Sequence, residues 1–209
     1  MIQVEQVGVV SGGVALLDPV SLDVSRGEAL VVRGSNGAGK STLLRVLAGA
    51  RTPTSGSARI ADTVVTEGDR MLRRRVSTMI GLPPMAVDLT VRDHVLLVAT
   101  TWVDDGDAAA ELADGVLAEL GIDWLGERYP HELSSGQTQL FGLALVLARP
   151  FDVLILDEPE QRLDPEHVEA VIEVLRARRE AGATLVIATH SAVLADALAD
   201  QTVVLKRAA

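Results

Sequence analysis

The stretch "VVRGSNGAGKST", residues 31–42, constrains the fold more than any other part of the chain. Gly34, Gly39, Lys40 and Ser41 satisfy the spacing G-x-x-x-x-G-K-[ST]. A continuous apolar run in "EALVVRG" precedes the motif, and a helical pattern from Lys40 to Ala48 follows it. A buried strand, a glycine-rich loop and a helix are therefore expected in succession. Across Gly34, Ser35, Asn36, Gly37, Ala38 and Gly39 the glycines let the backbone curl until its N–H groups converge. The helix start at Lys40, Ser41 and Thr42 adds positive potential. Such a loop suits phosphate, with the Lys40 ammonium on the β- and γ-phosphates and the Ser41 hydroxyl on Mg²⁺. Lys40 is one of two lysines against seventeen arginines, so this position uses a compact ammonium where the chain elsewhere prefers guanidinium. A bare glycine turn before a helix is the bland alternative, and the strand–loop–helix context leaves it little weight.

Strand-like runs open the chain: "IQVEQV" and "VSLDV" before the loop, "RVSTMIG" after it. Gly49 suits a helix C-cap, and "RTPTSGSARIAD" reads as turn plus strand. Between residues 83 and 148 the texture changes. "PPMAVDLT" is a loop with Thr90 as an N-cap, and helical periodicity follows in "VRDHVLLVATTW", "DAAAELADGVLAEL" and "SSGQTQLFGLALVLAR". Strand texture returns in "FDVLILDEP", then an amphipathic helix from Pro165 to Ala181, strand "ATLVIATH", helix "SAVLADALAD" and strand "QTVVLK". The expected architecture is one α/β domain over residues 1–209. Its core is formed by 1–82 and 149–209, interrupted by a helical subdomain at 83–148. Aromatics make up 2% of residues, so Ala, Val and Leu must fill that core.

Charge and composition exclude several classes. A net charge of −10 argues against a nucleic-acid binder with a broadly basic surface. With no cysteine, neither a disulfide framework nor a thiolate metal site is available. The N-terminal "MIQVEQVGVVSGG" lacks a basic segment followed by an apolar one, and "VLLVATTWV" is far short of the roughly 20 residues that span a bilayer. A cytoplasmic protein is expected, with any membrane role supplied by another chain. The basic runs "MLRRRV" and "LRARRE" read as solvated faces.

"VLILDEP", residues 153–159, is the natural companion of the phosphate loop. Four apolar residues carry a strand to Asp157 and Glu158 at its carboxyl end, where open α/β sheets place their ligand crevice. Asp157 is read as a holder of Mg²⁺ through water. Glu158 orients or deprotonates an attacking water.

Taken in order, the phosphate loop Gly34–Thr42, "LSSGQ" at Leu133–Gln137, "LILDEP" at Leu154–Pro159, "RLDP" at Arg162–Pro165 and "IATHS" at Ile187–Ser191 resemble an ATP-binding-cassette (ABC) ATPase over nearly the whole chain. The resemblance implies a P-loop NTPase core with a parallel-rich sheet, an N-terminal antiparallel β subdomain and an inserted helical subdomain. It implies ATP and Mg²⁺ as ligands, Glu158 as the catalytic carboxylate, and His190 as a histidine on the γ-phosphate. It places Asp164 in the loop that, in the family, links the site to an opposing subunit. It further implies that Ser134, Ser135, Gly136 and Gln137 serve the γ-phosphate of ATP bound to that other subunit. Locally, Ser134 and Gln137 have the S-x-x-Q spacing of a capping box, and Asp164 before Pro165 is an ordinary N-cap. Both readings hold together, because a capped helix start with a free glycine N–H is an anion site.

Two features of the family pattern are missing. No glutamine lies between Gln6 and Gln137, and Gly81 falls where the family carries a metal- and water-contacting one. The first aromatic is Trp102, and Ser11 falls where an adenine-stacking ring is usual. Losing about 1–3 kcal/mol of base stacking weakens binding up to roughly a hundredfold, so weak ATP affinity and weak adenine selectivity are expected. Turnover is expected to survive on Lys40, Ser41, Asp157, Glu158 and His190.

The leading expectation is the ATPase subunit of an ABC transporter. It forms a sandwich dimer with a second copy or a homologous chain. It drives a separate transmembrane permease from the cytoplasmic face of the membrane. The short C-terminal end leans towards an exporter. The alternatives are a soluble ABC ATPase outside transport and a regulatory nucleotide-binding module with weak hydrolysis.

Overall fold

A computed structural model describes residues 1–207. Two sheets organise the core. The first is antiparallel, with β1 (Ile2–Ser11) and β2 (Val14–Val24) joined through Gly12 and Gly13. Both glycines have positive φ, 56° and 78°, as a two-residue hairpin turn of matching twist requires. β1 does not alternate evenly. Gln6 takes φ 49° at a register shift between Val4 and Val7, and this bulge returns Val7 and Val9 to the buried face already used by Ile2 and Val4. β4 (Ser55–Ile60) and β5 (Thr63–Val64) complete the order β2-β1-β4-β5.

The second sheet is parallel throughout. β3 (Ala29–Gly34), β6 (Val76–Met79), β7 (Val153–Asp157), β8 (Thr184–Ala188) and β9 (Gln201–Leu205) lie in the order β6-β7-β8-β3-β9. Its central strands read as continuous apolar runs because both faces are covered. Asp157 stands opposite Ala188, and Ala188 opposite Val32. The loops that follow β7, β8 and β3 therefore leave one edge of the sheet side by side.

Helix α1 (Lys40–Leu47) packs beneath the antiparallel sheet, and its buried Leu43, Leu44, Val46 and Leu47 join the cluster of Ile2, Val4 and Ile60. The basic run "RMLRRR" forms a short helix, α2 (Arg70–Arg75), which the sequence reading did not identify. Asp69 caps it, Leu72 is buried and the arginines point out. Between β6 and β7 the chain runs through α3 (Val91–Thr100), α4 (Gly106–Glu119) and α5 (Ser135–Leu147). Helices α6 (Pro165–Glu180) and α7 (Ala192–Leu198) follow β7 and β8.

Helix α5 is apolar on every side because it is covered on every side, with every residue from Gln139 to Leu147 buried. Ser77 on β6 donates to the Val146 carbonyl at 2.7 Å, and Phe141 meets the His94 ring of α3 edge-on at 5.3 Å. His94 is itself buried. Its Nε2 accepts from the Ala86 N–H at 2.8 Å, so its Nδ1, 2.7 Å from the Thr90 carbonyl, carries the proton. At the far end the Arg149 guanidinium lies 4.3 Å over the Trp102 ring, and its burial pulls its pKa down. Phe141 is fully buried. Phe141→Ala is expected to destabilise the chain by about 3–5 kcal/mol, the range for deleting a core ring, read as a lower midpoint in urea unfolding.

Candidate nucleotide site

The phosphate loop closes on itself. Lys40 is 7% exposed, and its ammonium donates to the Gly34 carbonyl at 3.0 Å and to that of Ser35 at 3.4 Å. Ala38 is buried and its N–H returns to the Ser35 carbonyl at 3.1 Å. Gly39, at φ 92°, begins α1, and a Cβ there would stand 2.6 Å from the Leu16 carbonyl. Position 39 therefore admits no side chain. A cavity of about 600 Å³ opens above the loop. It is bordered by Val14, Leu16, Asn36, Gly37, Gly39, Lys40, Ser41, Thr42, Glu158 and Arg207. Backbone N–H groups at a helix start, one ammonium and two hydroxyls fit a polyphosphate. Ser11 does not border this cavity. The apolar surface there belongs to Val14, 61% exposed.

The acidic end of β7 turns sharply. Glu158 takes a left-handed φ of 51°, which costs a non-glycine residue about 1–2 kcal/mol. Three contacts hold it there. The Glu158 N–H donates to the Ala188 carbonyl at 2.8 Å. The Gln139 side-chain amide of α5, 6% exposed, donates to the carbonyls of Glu158 at 3.0 Å and Pro159 at 3.2 Å. Glu160 reaches across to the loop after β8, where one carboxylate oxygen accepts from the Thr189 hydroxyl and from the Ser191 N–H at 3.4 Å. Its other oxygen is buried with no hydrogen-bond partner among the described residues.

These contacts converge on His190. Its Nε2 lies 3.0 Å from the Lys40 ammonium and 3.3 Å from Glu158 Oε1. Nε2 thus stands between the ammonium and the carboxylate. Lys40, Ser41, Glu158 and His190 are thus gathered at one place. Asp157 and Gly81 border an adjoining cavity of about 240 Å³ with Glu158 and Gln161. Among the described residues no cluster of three or more His, Asp or Glu side chains could hold a metal alone. One hydroxyl and one carboxylate, with phosphate and water completing the shell, is a donor set that suits Mg²⁺.

Ser134, Ser135, Gly136, Gln137 and Asp164 stand apart from this group. They border a separate cavity of about 270 Å³ with Trp124, Arg162 and His167. Ser134 Oγ accepts from the Gln137 N–H at 3.3 Å, and Gln137 Oε1 accepts from the Ser134 N–H at 2.8 Å, the reciprocal box expected from the sequence. Gly136 is required by close approach, since a Cβ there would lie 2.8 Å from the Arg162 carbonyl. Asp164 caps α6, accepting from the His167 N–H at 3.0 Å and from His167 Nδ1 at 2.8 Å. The His167 N–H first, then its ring, hold the Asp164 carboxyl below the usual range.

Sequence reasoning missed Gln139, Glu160 and Gln161. For Gln139 the signal was an amide inside an otherwise apolar helical run. For Glu160 and Gln161 it was their adjacency to the acidic pair, where three further polar residues follow Pro159.

A strand–loop–helix phosphate cradle beside an acidic strand end defines a P-loop nucleotide-binding protein. The family model described as ABC transporter matches residues 17–161. The methionine import ATP-binding protein MetN of Ralstonia nicotianae is 34% identical over 194 residues, covering 90% of this chain and 55% of that protein. The cobalt import ATP-binding protein CbiO of Rhodobacter capsulatus is 38% identical over 204 residues, 91% of this chain and 69% of that one. A dimeric post-hydrolysis state of the ATP-binding cassette MJ0796, bound to ADP and Pi, superposes with a TM-score of 0.90 at 24% identity, covering 99% of this chain and 95% of that one. The chain belongs to the ABC transporter family and has the fold of its ATP-binding cassettes. It spans about half the length of the methionine import relatives. The lean towards export finds no support, since these relatives are named for import.

Asp164 gives a pH prediction. A carboxyl whose folded pKa is depressed contributes stability in full above its unfolded value, about 4, and loses it as pH falls through the folded value. Asp164→Ala should therefore melt below the wild type at pH 7, with the gap closing as pH drops below about 4. A gap that stays constant or widens on acidification contradicts the assignment.

Proposed function

We propose that the chain is the ATP-binding and ATP-hydrolysing subunit of an ABC transporter of the import type, acting with a separate membrane permease. The observation that carries the reading is the convergence of Lys40, His190 and Glu158 at one edge of the parallel sheet. Lys40 and the loop N–H groups bind the β- and γ-phosphates of ATP. Ser41 and Asp157 hold Mg²⁺, which neutralises charge on the phosphates. Glu158 accepts the proton of a water attacking the γ-phosphorus as the bond to the ADP oxygen breaks. His190 contacts the γ-phosphate and fixes the face of Glu158 that meets the water.

Ser134, Gly136 and Asp164 serve a second nucleotide bound to a partner cassette. That they border a cavity of their own, away from Lys40, supports this division. The segment 83–148 acts as the helical subdomain that carries Ser134 and Gly136, and Asp164 joins them from the start of α6. The permease docks in the groove of about 990 Å³ between α2 and α3, which Gly81, Leu82, Leu97 and Trp102 border. No helix among the described residues is long and apolar enough to cross a membrane, which fits a cytoplasmic subunit held at the membrane by that permease. A regulatory module without turnover is the second reading, prompted by Gly81.

Glu158→Gln should lower kcat by about a hundredfold or more, the range for losing a general base, while ATP binding persists and dimers accumulate in sedimentation with ATP. Wild-type turnover no higher than that of Glu158→Gln, with permease present, favours the regulatory reading. ATP and GTP should bind weakly and within a small factor of each other. Val14→Tyr should tighten ATP by about tenfold through base stacking, measured by calorimetry; submicromolar wild-type affinity with rejection of GTP contradicts this.

A further inference from the structure

The cavity beside Asp157 and Glu158 is walled unevenly. On one side stands Gly81, at φ 80°, with no side chain to offer. On the other stands Gln161. Its backbone N–H donates to the Glu158 carbonyl at 3.1 Å, closing a tight turn that brings position 161 back over position 158. Its side-chain Nε2 then donates to Glu158 Oε2 at 2.9 Å. The other oxygen, Oε1, faces His190 at 3.3 Å. One carboxylate oxygen is therefore held by the amide, while the other lies beside the ring. A hydrogen bond to one oxygen favours one rotation about the terminal carboxyl torsion, which is otherwise broad.

We infer that Gln161 is a positioning residue for the Glu158 carboxylate, setting which lone pair faces the water in the cavity. The inference rests on Glu158 as the acceptor of that water's proton. An amide suits the task because it orients a carboxylate without adding charge, whereas an ammonium or guanidinium would lower its basicity. Gln161 also borders the cavity, and its side-chain carbonyl oxygen has no hydrogen-bond partner among the described residues. Gln139, the other amide at this cavity, is committed to the carbonyls of Glu158 and Pro159 and cannot take the role.

Two measurements test it. In the nucleotide-free protein, the side-chain N–H₂ resonances of Gln161, identified by their loss in Gln161→Ala, should move when Glu158 is changed to Ala. Unmoved resonances mean the contact does not form, and the inference falls. In steady-state kinetics, Gln161→Ala should lower kcat about tenfold, within the range for misplacing a reacting group, with ATP affinity unchanged. Gln161→Glu, which sets like charges together, should lower it at least as far. An unchanged or raised kcat, or a loss confined to ATP affinity, overturns the role. Failure of the underlying reading is separable, because it shows as wild-type turnover equal to that of Glu158→Gln, whereas the resonance shift reports the contact without turnover.

Discussion

The site depends on one buried amide. Glu158 takes a left-handed backbone, and the turn leaves two carbonyls facing the interior. Without a donor, each buried carbonyl would cost on the order of 1–3 kcal/mol. Gln139 donates to both from helix α5, and the Gln161 N–H also serves the Glu158 carbonyl. The same helix begins at Ser134, five residues away, or about 7.5 Å along its axis. The capped helix start that serves one cavity is thus tied rigidly to the turn that serves another. The full apolar burial of the rest of α5 keeps that tie stiff.

A second tie runs through Glu160. Its carboxylate joins the turn after β7 to the loop after β8, so the segments bearing Glu158 and His190 share one anchor. The buried oxygen left without a partner marks this anchor as costly.

Much of this was legible in the sequence, and the reasons are local. The phosphate loop, the acidic strand end and the Ser134–Gln137 box are each written in consecutive residues whose chemistry acts on their own backbone. Family-level ordering of the motifs then predicted the antiparallel sheet, the parallel sheet and the helices between them. What escaped depended on tertiary partners. The reach of β1 to Ser11 follows from a bulge at Gln6 that breaks the expected alternation. Helix α2 was hidden because one buried leucine, Leu72, carries its apolar face. Gln139 and Glu160 act on residues far off in the chain, so the local signals, an amide in an apolar run and adjacency to the acidic pair, do not name their partners. The cavity above the phosphate loop shows the same limit, for the family pattern points to Ser11 whereas the fold presents Val14 there.

The scarcity of aromatics has a use. Trp102 stacks under Arg149 at the border of the large groove, while Trp124, 63% exposed, borders the cavity of the capped helix start. The chain contains no other tryptophan. Each of its two outward-facing surfaces therefore carries one native fluorophore in a different environment. Replacing either with phenylalanine leaves a single-colour reporter of the other, so occupancy of the two surfaces is separable without an attached label.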